Sequence, residues 1–242
     1  MEKKVKTVSV LIPMYNAEKY LVQTIESVLN QTTTPMEIVV YDDGSKDGSA
    51  ETASNYEVRV VRDKRNRGIG FARKRLVEEA KGDYCCFISA DDKMLPNYIE
   101  TMLKESEKYP DTILYSNYDV INENNTYLRT FSADTYDCYE DWLMSIIFKA
   151  HDDTMSVNYN IFAPTKILRE NNFDESLRFG EDLEHLLRCV FIKKINYHHV
   201  PKPLFQCRTH MESMTSMKMD DIKANNKRIF DSINILIGRQ II

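Results

Sequence analysis

The feature that most constrains this chain is a series of short, wholly apolar runs, each cut off by a polar turn and followed by a helical pattern. "TVSVLIP" (7–13) stops at Pro13, and "AEKYLVQTIESVLNQ" follows with Tyr20, Leu21, Ile25, Val28 and Leu29 at helical spacing. "EIVVYDDGS" (37–45) is a second run ending in a turn, and "KDGSAETASNY" predicts a short helix. "VRVVRD" (58–63) predicts a third strand, "GFARKRLVEEAKG" a helix ended by Gly82, and "DYCCFIS" a fourth strand. "PNYIETMLKESEKYP" predicts a further helix with Pro96 in its first turn. Apolar strands that do not alternate with polar residues are buried on both faces, so the pattern implies an α/β domain with a parallel sheet covered by helices.

The alternation weakens after Asp111. "TILYSNYDVI" predicts a strand, "NENN" a turn and "TYLRTF" a return strand. "YEDWLMSIIF" predicts a helix, as does "GEDLEHLLRCVFI", with Leu183, Leu186, Leu187 and Val190 on one side. No internal repeat or linker divides the chain. The organisation expected is one domain over 1–217, with a nucleotide-binding half of about 1–110 and an acceptor half of about 111–217, and a C-terminal helical segment over 218–242. In that segment Ile222, Ile229, Phe230, Ile233, Leu236 and Ile237 cover more than one narrow face, and Lys218, Lys223, Lys227 and Arg228 precede most of them. Packing on the domain, pairing with a second chain as a homodimer, and peripheral contact with an anionic membrane surface all fit such a segment.

A formal net charge of −5, from 32 basic and 37 acidic residues, excludes nucleic acid as the main partner. The five cysteines are odd in number and form no C-x-x-C pair, which suits reduced thiols and a cytoplasmic setting. The basic start "MEKKVKTVSV" is not followed by the long apolar stretch of a signal peptide, and no window reaches the ~18 apolar residues of a membrane span.

In a parallel α/β sheet, ligands bind beyond the carboxyl ends of the strands. Three polar clusters fall there: Tyr15-Asn16, Asp42-Asp43-Gly44-Ser45 and Ser89-Ala90-Asp91-Asp92. A solvated turn is the plainer reading of any one acidic residue. Carboxylates gathered on one edge instead ask for a cation, and hard oxygen ligands suit Mg²⁺ or Mn²⁺ completed by substrate phosphates. Asp43 suits hydrogen bonds from a base or ribose, while Asp47 reads as a cap for the next helix. "NRGIGFARKR" (66–75) sets basic residues around a helix start, where anions are favoured, and Arg73 faces either the site or solvent. Glu181 and Asp182 open a helix, where acidic residues complement the dipole or serve as a general base. His210 follows the strand-like "KPLFQCR"; His198 and His199 read as surface or packing residues, and His151 has no evident role. Neither a phosphate-cradling G-x-x-x-x-G-K loop nor a G-x-G-x-x-G fingerprint is present.

Five stretches in order carry a family resemblance: "VSVLIPMYNAEKYLVQTIESVLNQT", "EIVVYDDGSKDGS", "NRGIGFARKRLVEEAKGDYCCFISADDKMLP", "FDESLRFGEDLEHLLR" and "PLFQCRTHMESMT". Together, from Ser9 to about Ser213, they resemble the bacterial family-2 glycosyltransferases of GT-A fold. The resemblance implies a Rossmann-like, mixed but mostly parallel sheet flanked by helices. It also implies inverting transfer of a sugar from a nucleotide-sugar, usually a UDP-sugar, to a hydroxyl of a saccharide or lipid-linked acceptor in surface polysaccharide synthesis. Carried over by position, Pro13, Tyr15, Asp43, Asn66, Gly68, Arg73 and Ser89 line the donor site. Asp91 and His210 lie at the metal, a Mn²⁺ or Mg²⁺ ion, and Asp182 is the base with Glu181 beside it. Ser89 departs from the family, which commonly has Asp there, so Asp91 has less help with the metal; Asp92 orients the turn. Side chains one apart on a helix diverge by about 100°, so Asp182 borders the apolar side and looks into the cleft while Glu181 meets solvent or a basic neighbour. Acceptor recognition is expected in 120–165, where "DTYDCYEDW" supplies aromatic rings. A nucleotidyltransferase would show a Gly-rich N-terminal loop with basic residues, which "LIPMYNAEKY" lacks; a non-catalytic nucleotide- or sugar-binding module is the other alternative, kept open by Ser89.

Overall fold

The computed structural model describes residues 5–132, 160–211, 228, 229, 231–233 and 235. In chain order the elements are β1 (Val8–Met14), α1 (Glu18–Leu29), β2 (Glu37–Asp42), α2 (Ser49–Ser54), β3 (Arg59–Arg62), α3 (Ile69–Glu79), β4 (Tyr84–Phe87), β5 (Lys93–Met94), α4 (Tyr98–Lys108), β6 (Ile113–Asn122), β7 (Tyr127–Phe131) and β8 (Phe162–Pro164). They continue with α5 (Thr165–Glu170), α6 (Glu181–Leu187), a π-helical turn (Arg188–Ile192) and β9 (Tyr197–Thr209). One sheet holds the strands in the order β3-β2-β1-β4-β8-β6-β9-β5, with β7 paired to β6. β1 pairs in parallel with β2 and β4, β2 with β3, and β6 with β9. β5, β7 and β8 run antiparallel to their neighbours, which makes the sheet mixed but mostly parallel.

Burial of both sheet faces explains the unbroken apolar runs. Val8, Val10, Ile12 and Met14 of β1 point into one layer with Leu21, Ile25 and Val28 of α1 and Ile99 and Met102 of α4. Leu11 points the other way, into a layer with Val39 of β2, Phe71, Leu76 and Val77 of α3, and Leu168 of α5. Each side chain so buried contributes about 1.5–3 kcal/mol. His198 and His199 of β9 stack on Tyr109 and Tyr115, at ring-centroid distances of 3.6 and 5.1 Å, as packing residues.

Two punctuation marks act differently from their sequence reading. α3 stops at Ala80, whose backbone turns extended (φ −61, ψ 140), so Gly82 does not end it. Gly82 is needed because β1 passes so close that a Cβ would stand 2.7 Å from the Ser9 backbone nitrogen. Its N–H donates to Ser9 Oγ at 2.8 Å. Pro96 precedes α4 rather than entering it, since the helix begins at Tyr98 after Asn97.

Ile229 and Ile233 of the C-terminal segment are buried against Leu183, Leu186, Leu187 and Val190. Packing on the domain is therefore observed at those two positions. The helix expected in "YEDWLMSIIF", the rings of "DTYDCYEDW", His151, Ile222, Phe230, Leu236, Ile237 and the basic residues Lys218, Lys223 and Lys227 lie outside the described residues. No helix among the described residues is long and apolar enough to cross a membrane. Ile233→Ala should lower stability by about 2–4 kcal/mol, the usual cost of emptying a buried isoleucine site. Urea unfolding of wild type and variant measures it, and a difference below about 0.5 kcal/mol would mean that this contact contributes little.

Candidate active site

The parallel strands deliver their polar ends to one edge. Met14 stands opposite Asp42, and the Asp43 N–H donates to the Met14 carbonyl at 2.9 Å. The loops after β1 and β2 are then stitched together. Asn16 N–H donates to Ser45 Oγ at 3.0 Å, and Lys46 N–H returns to Asn16 Oδ1 at 2.9 Å. Asp47 accepts from Glu18 N–H at 3.2 Å and from Ser49 N–H at 3.1 Å, so it caps two helix starts at once. Pro13 is buried within β1, whereas Tyr15, 44% exposed, stands at the rim. Because β9 runs parallel to β6, and β6 parallel to β4 through β8, its end brings His210 to the same edge.

Asp43 is a loop anchor. Its Oδ1 accepts the Arg67 N–H at 2.8 Å and its Oδ2 the Gly68 N–H at 2.8 Å, which folds Asn66, Arg67 and Gly68 over the end of β2. Gly68 has φ +99, a left-handed value that excludes most side chains, and Arg178 lies against it. Arg178 also donates to the Asn66 carbonyl at 3.2 Å. Each carboxylate oxygen keeps a further lone pair for a ligand. Burial pushes the Asp43 carboxyl upward against the pull of those two amides.

The turn after β4 divides its two carboxylates. Asp92 is buried; its N–H donates to the Ser89 carbonyl at 3.1 Å, and its Oδ1 accepts the Arg208 backbone N–H at 2.8 Å. Burial, and then the Asp91 charge, hold the Asp92 carboxyl well above the usual range. Asp91 stays partly exposed and places Oδ2 3.0 Å from His210 Nε2. Ser89 sits partly exposed at the head of the turn. Arg208, given no role by the sequence reading, organises this end: its side chain donates to the Asp91 carbonyl at 2.8 Å, and its guanidinium carbon lies 4.7 Å from the centre of the Tyr20 ring. Tyr20 in turn meets the His210 ring at 4.9 Å. The available signal was the arginine two residues before the histidine in "CRTH". Asp91 and His210 offer one hard oxygen and one imidazole nitrogen, which suits Mn²⁺ or Mg²⁺ when other oxygens complete the shell. Among the described residues no group of three or more His, Cys, Asp and Glu gathers to hold a metal without such help.

The second carboxylate pair opens α6, where the structure shows the basic neighbour expected for Glu181 but reverses the order of burial expected from the helix angle. Glu181 does not meet solvent: it is 2% exposed and forms an ion pair with Arg73 Nη1 at 2.8 Å. Arg73 is likewise buried, so it faces Glu181 rather than solvent. Asp182 is the more exposed member, with Oδ1 accepting the Leu183 N–H at 2.7 Å. Burial pushes the Asp182 carboxyl upward, and it carries Glu181 up to about 7 against the Arg73 charge.

Two outcomes follow from these surroundings. Asp43→Asn replaces one acceptor by an NH₂ group and leaves one of two loop amides without its partner, a loss of about 1–3 kcal/mol. Urea unfolding of the ligand-free variant reads this cost; an unchanged midpoint would mean that the loop does not depend on Asp43. For Glu181, the folded carboxyl titrates near about 7 and the unfolded one near 4.5, so the native state binds more protons between those values. Stability from this group is full below 4.5 and lost as pH rises through about 7. Glu181→Gln removes that slope, so the variant should gain on the wild type between pH 4.5 and 7, whatever the constant cost at Arg73. Parallel midpoint-against-pH curves for the two proteins would contradict it.

Known proteins resemble this chain in sequence and in fold. Residues 9–175 match the model of glycosyl transferase family 2. The chain is 31% identical over 191 residues to an uncharacterized glycosyltransferase of Methanocaldococcus jannaschii, covering 76% of this chain and 64% of that protein. It is 32% identical over 178 residues to glycosyltransferase GlyG of Streptococcus pneumoniae, covering 69% of this chain and 58% of that protein. The chain thus spans less than two thirds of either curated relative. Among solved structures, S. aureus TarS in complex with UDP-GlcNAc superposes with a TM-score of 0.70 at 16% identity, over 94% of this chain and 71% of that one. TarS in complex with UDP gives 0.67 at 18% identity, over 91% of this chain and 65% of that one. At such identity the likeness is one of fold, and that fold is GT-A. The family match over 9–175, carried on this sheet, shows that the chain belongs to glycosyl transferase family 2.

Proposed function

We propose that the chain transfers a glycosyl group from a UDP-sugar to a hydroxyl of a saccharide or lipid-linked acceptor, with inversion at the anomeric carbon, in surface polysaccharide synthesis. The observation that carries this reading is the Asp91–His210 pair, 3.0 Å apart at the sheet edge that also holds Asp43. Family membership supports the reaction class, and the UDP and UDP-GlcNAc complexes of TarS, a protein of the same fold, support a UDP-sugar donor.

The residues divide the work. Tyr15 stands exposed just past the end of β1, where a uracil ring can stack, and Pro13 lies buried in the strand that carries it. Asp43, with the loop of Asn66 and Gly68 fastened to it, accepts from the base or ribose, and Ser89 serves a ribose hydroxyl without adding charge. Asp91 and His210 would hold Mn²⁺ or Mg²⁺, an ion that supplies Lewis-acid stabilisation of the charge growing on the diphosphate. Asp182 takes the proton of the acceptor hydroxyl as its oxygen bonds to the anomeric carbon and the diphosphate leaves from the opposite face. Burial raises the affinity of Asp182 for that proton, which favours a base, and such a group contributes ~10²–10⁴-fold. A lipid-linked acceptor at the inner face of a cell membrane would suit the basic residues Lys218, Lys223 and Lys227 of the C-terminal segment.

Asp91→Ala should lose the Mn²⁺-dependent part of UDP binding in calorimetry. Asp182→Asn should keep UDP-sugar affinity within about threefold while transfer falls by at least ~10²-fold. Unchanged metal dependence in Asp91→Ala would move the metal elsewhere, and near wild-type transfer by Asp182→Asn would remove Asp182 as base. A wild-type chain that binds UDP but neither hydrolyses nor transfers any UDP-sugar with Mn²⁺ would be a binding module instead.

A further inference from the structure

Arg73 occupies an unusual place for a residue expected at the donor. Its side chain is 9% exposed and its anion, Glu181, 2%. The guanidinium carbon lies 5.8 Å from the Phe87 ring centre and 5.7 Å from that of Phe173, and those two rings meet edge-on at 5.4 Å. His185, one turn along α6, stacks on Phe173 at 4.4 Å, and burial pushes its imidazole down to about 3, so it adds no charge.

The other charged groups nearby are engaged with one another. On α3, Lys74 pairs with Glu175, and Arg75 with Glu78 and Glu79. Arg188, on the π-helical turn, pairs with Glu184 of α6 at 2.6 Å. Arg228 and Asp231 of the C-terminal segment face solvent, and β4 presents Phe87. Arg178 turns to the Asn66 carbonyl, and among the described residues Arg73 is the cation paired with Glu181, whose field acts on Glu181 and Asp182 in the same direction, downward.

We infer that Arg73 is a positioning residue: it anchors Glu181 as a buried partner and so leaves Asp182 as the single open carboxylate at the start of α6. The inference rests on Asp182 being the base. Two adjacent carboxylates in a poorly solvated place repel each other and share a proton unless a cation compensates one of them. Arg73 draws both carboxyls downward, so without it the pair would hold its proton to higher pH than it does in the wild type, and Asp182 would spend more of its time unable to accept another.

The test is the pH dependence of transfer by Arg73→Met, with UDP affinity measured alongside. The acid limb of kcat should move up by about one pH unit or more, with kcat lowered ~10-fold at pH 7 and recovered in alkaline solution, while the Kd for UDP stays within about twofold. Arg73→Lys should fall between the two. Arg73→Met/Glu181→Gln removes both charges and should bring the acid limb back towards the wild type; it also carries the test if the single variant does not fold. A lost affinity for UDP with an unmoved acid limb would make Arg73 a donor contact and overturn the inference. So would a folded, UDP-binding double variant inactive at every pH. Asp182→Asn, assayed in parallel, separates the two ideas. If it still transfers, the base assignment has failed; if it is inactive and the acid limb of Arg73→Met is unmoved, only the role of Arg73 has failed.

Discussion

The Asp91–His210 end of the site depends on one buried guanidinium. Arg208 is 2% exposed, and a cation taken out of water at that depth is tolerable only if its donors are satisfied. They are: Nε donates to the Asp91 carbonyl at 2.8 Å, Nη1 to the Asn122 and Glu123 carbonyls at 3.3 and 3.4 Å, and Nη2 to Gln23 Oε1 and Asn125 Oδ1 at 3.0 and 3.1 Å. These partners come from α1, from the turn after β4, and from the end of β6 and the turn into β7. The strand that carries Arg208 therefore cannot slide without breaking bonds to three parts of the molecule. His210, two residues on, inherits that fixed position, and so does Asp91, whose carbonyl is held while its carboxylate is left outward.

How much of this was legible varies with how local its cause is. β1, β2 and β4 were readable because burial writes itself into the sequence as apolar runs, and the half-buried end strand β3 was readable from its β-branched Val60-Val61 pair. The return strand Tyr127–Phe131 was readable from its turn. β8 and β5 were not, since a three-residue and a two-residue strand have no periodicity, and their pairing with β4 and β9 joins residues far apart in the chain. Gly82 was misread because a glycine near a helix end has a common local use, whereas its cause here is the passage of Ser9. Asp91 and His210 were placed correctly on one edge by strand direction together with the resemblance to a family. The basic neighbour of Glu181 was among the expectations but its deeper burial was not: helical spacing sets the angle between two side chains and says nothing of what covers each. The cover comes from Arg73, 108 positions earlier by number.

Both adjacent acid pairs divide their labour in the same way. Asp92 and Glu181 are buried, one capped by a backbone amide of Arg208 and the other neutralised by the side chain of Arg73. Asp91 and Asp182, their neighbours, keep access to solvent. The physics favours that split. Two carboxylates one residue apart cannot both lie in a low-dielectric interior without one of them taking a proton, and two fully exposed ones would have no fixed direction. Burying one member ties the backbone down at that residue and aims the other. The buried member needs a donor of its own, because a lone buried carboxylate is costly, and in each case an arginine residue from a distant part of the chain provides it. The price is that each arginine is itself buried: Arg208 makes five side-chain hydrogen bonds, and Arg73 pairs with Glu181 beside two aromatic rings. The two ends of the site are thus independent constructions on one principle. Loss of one arginine should disturb the carboxylate pair it serves and leave the other pair in register, because no element that Arg208 grips through its side chain takes part in the Arg73–Glu181 contact.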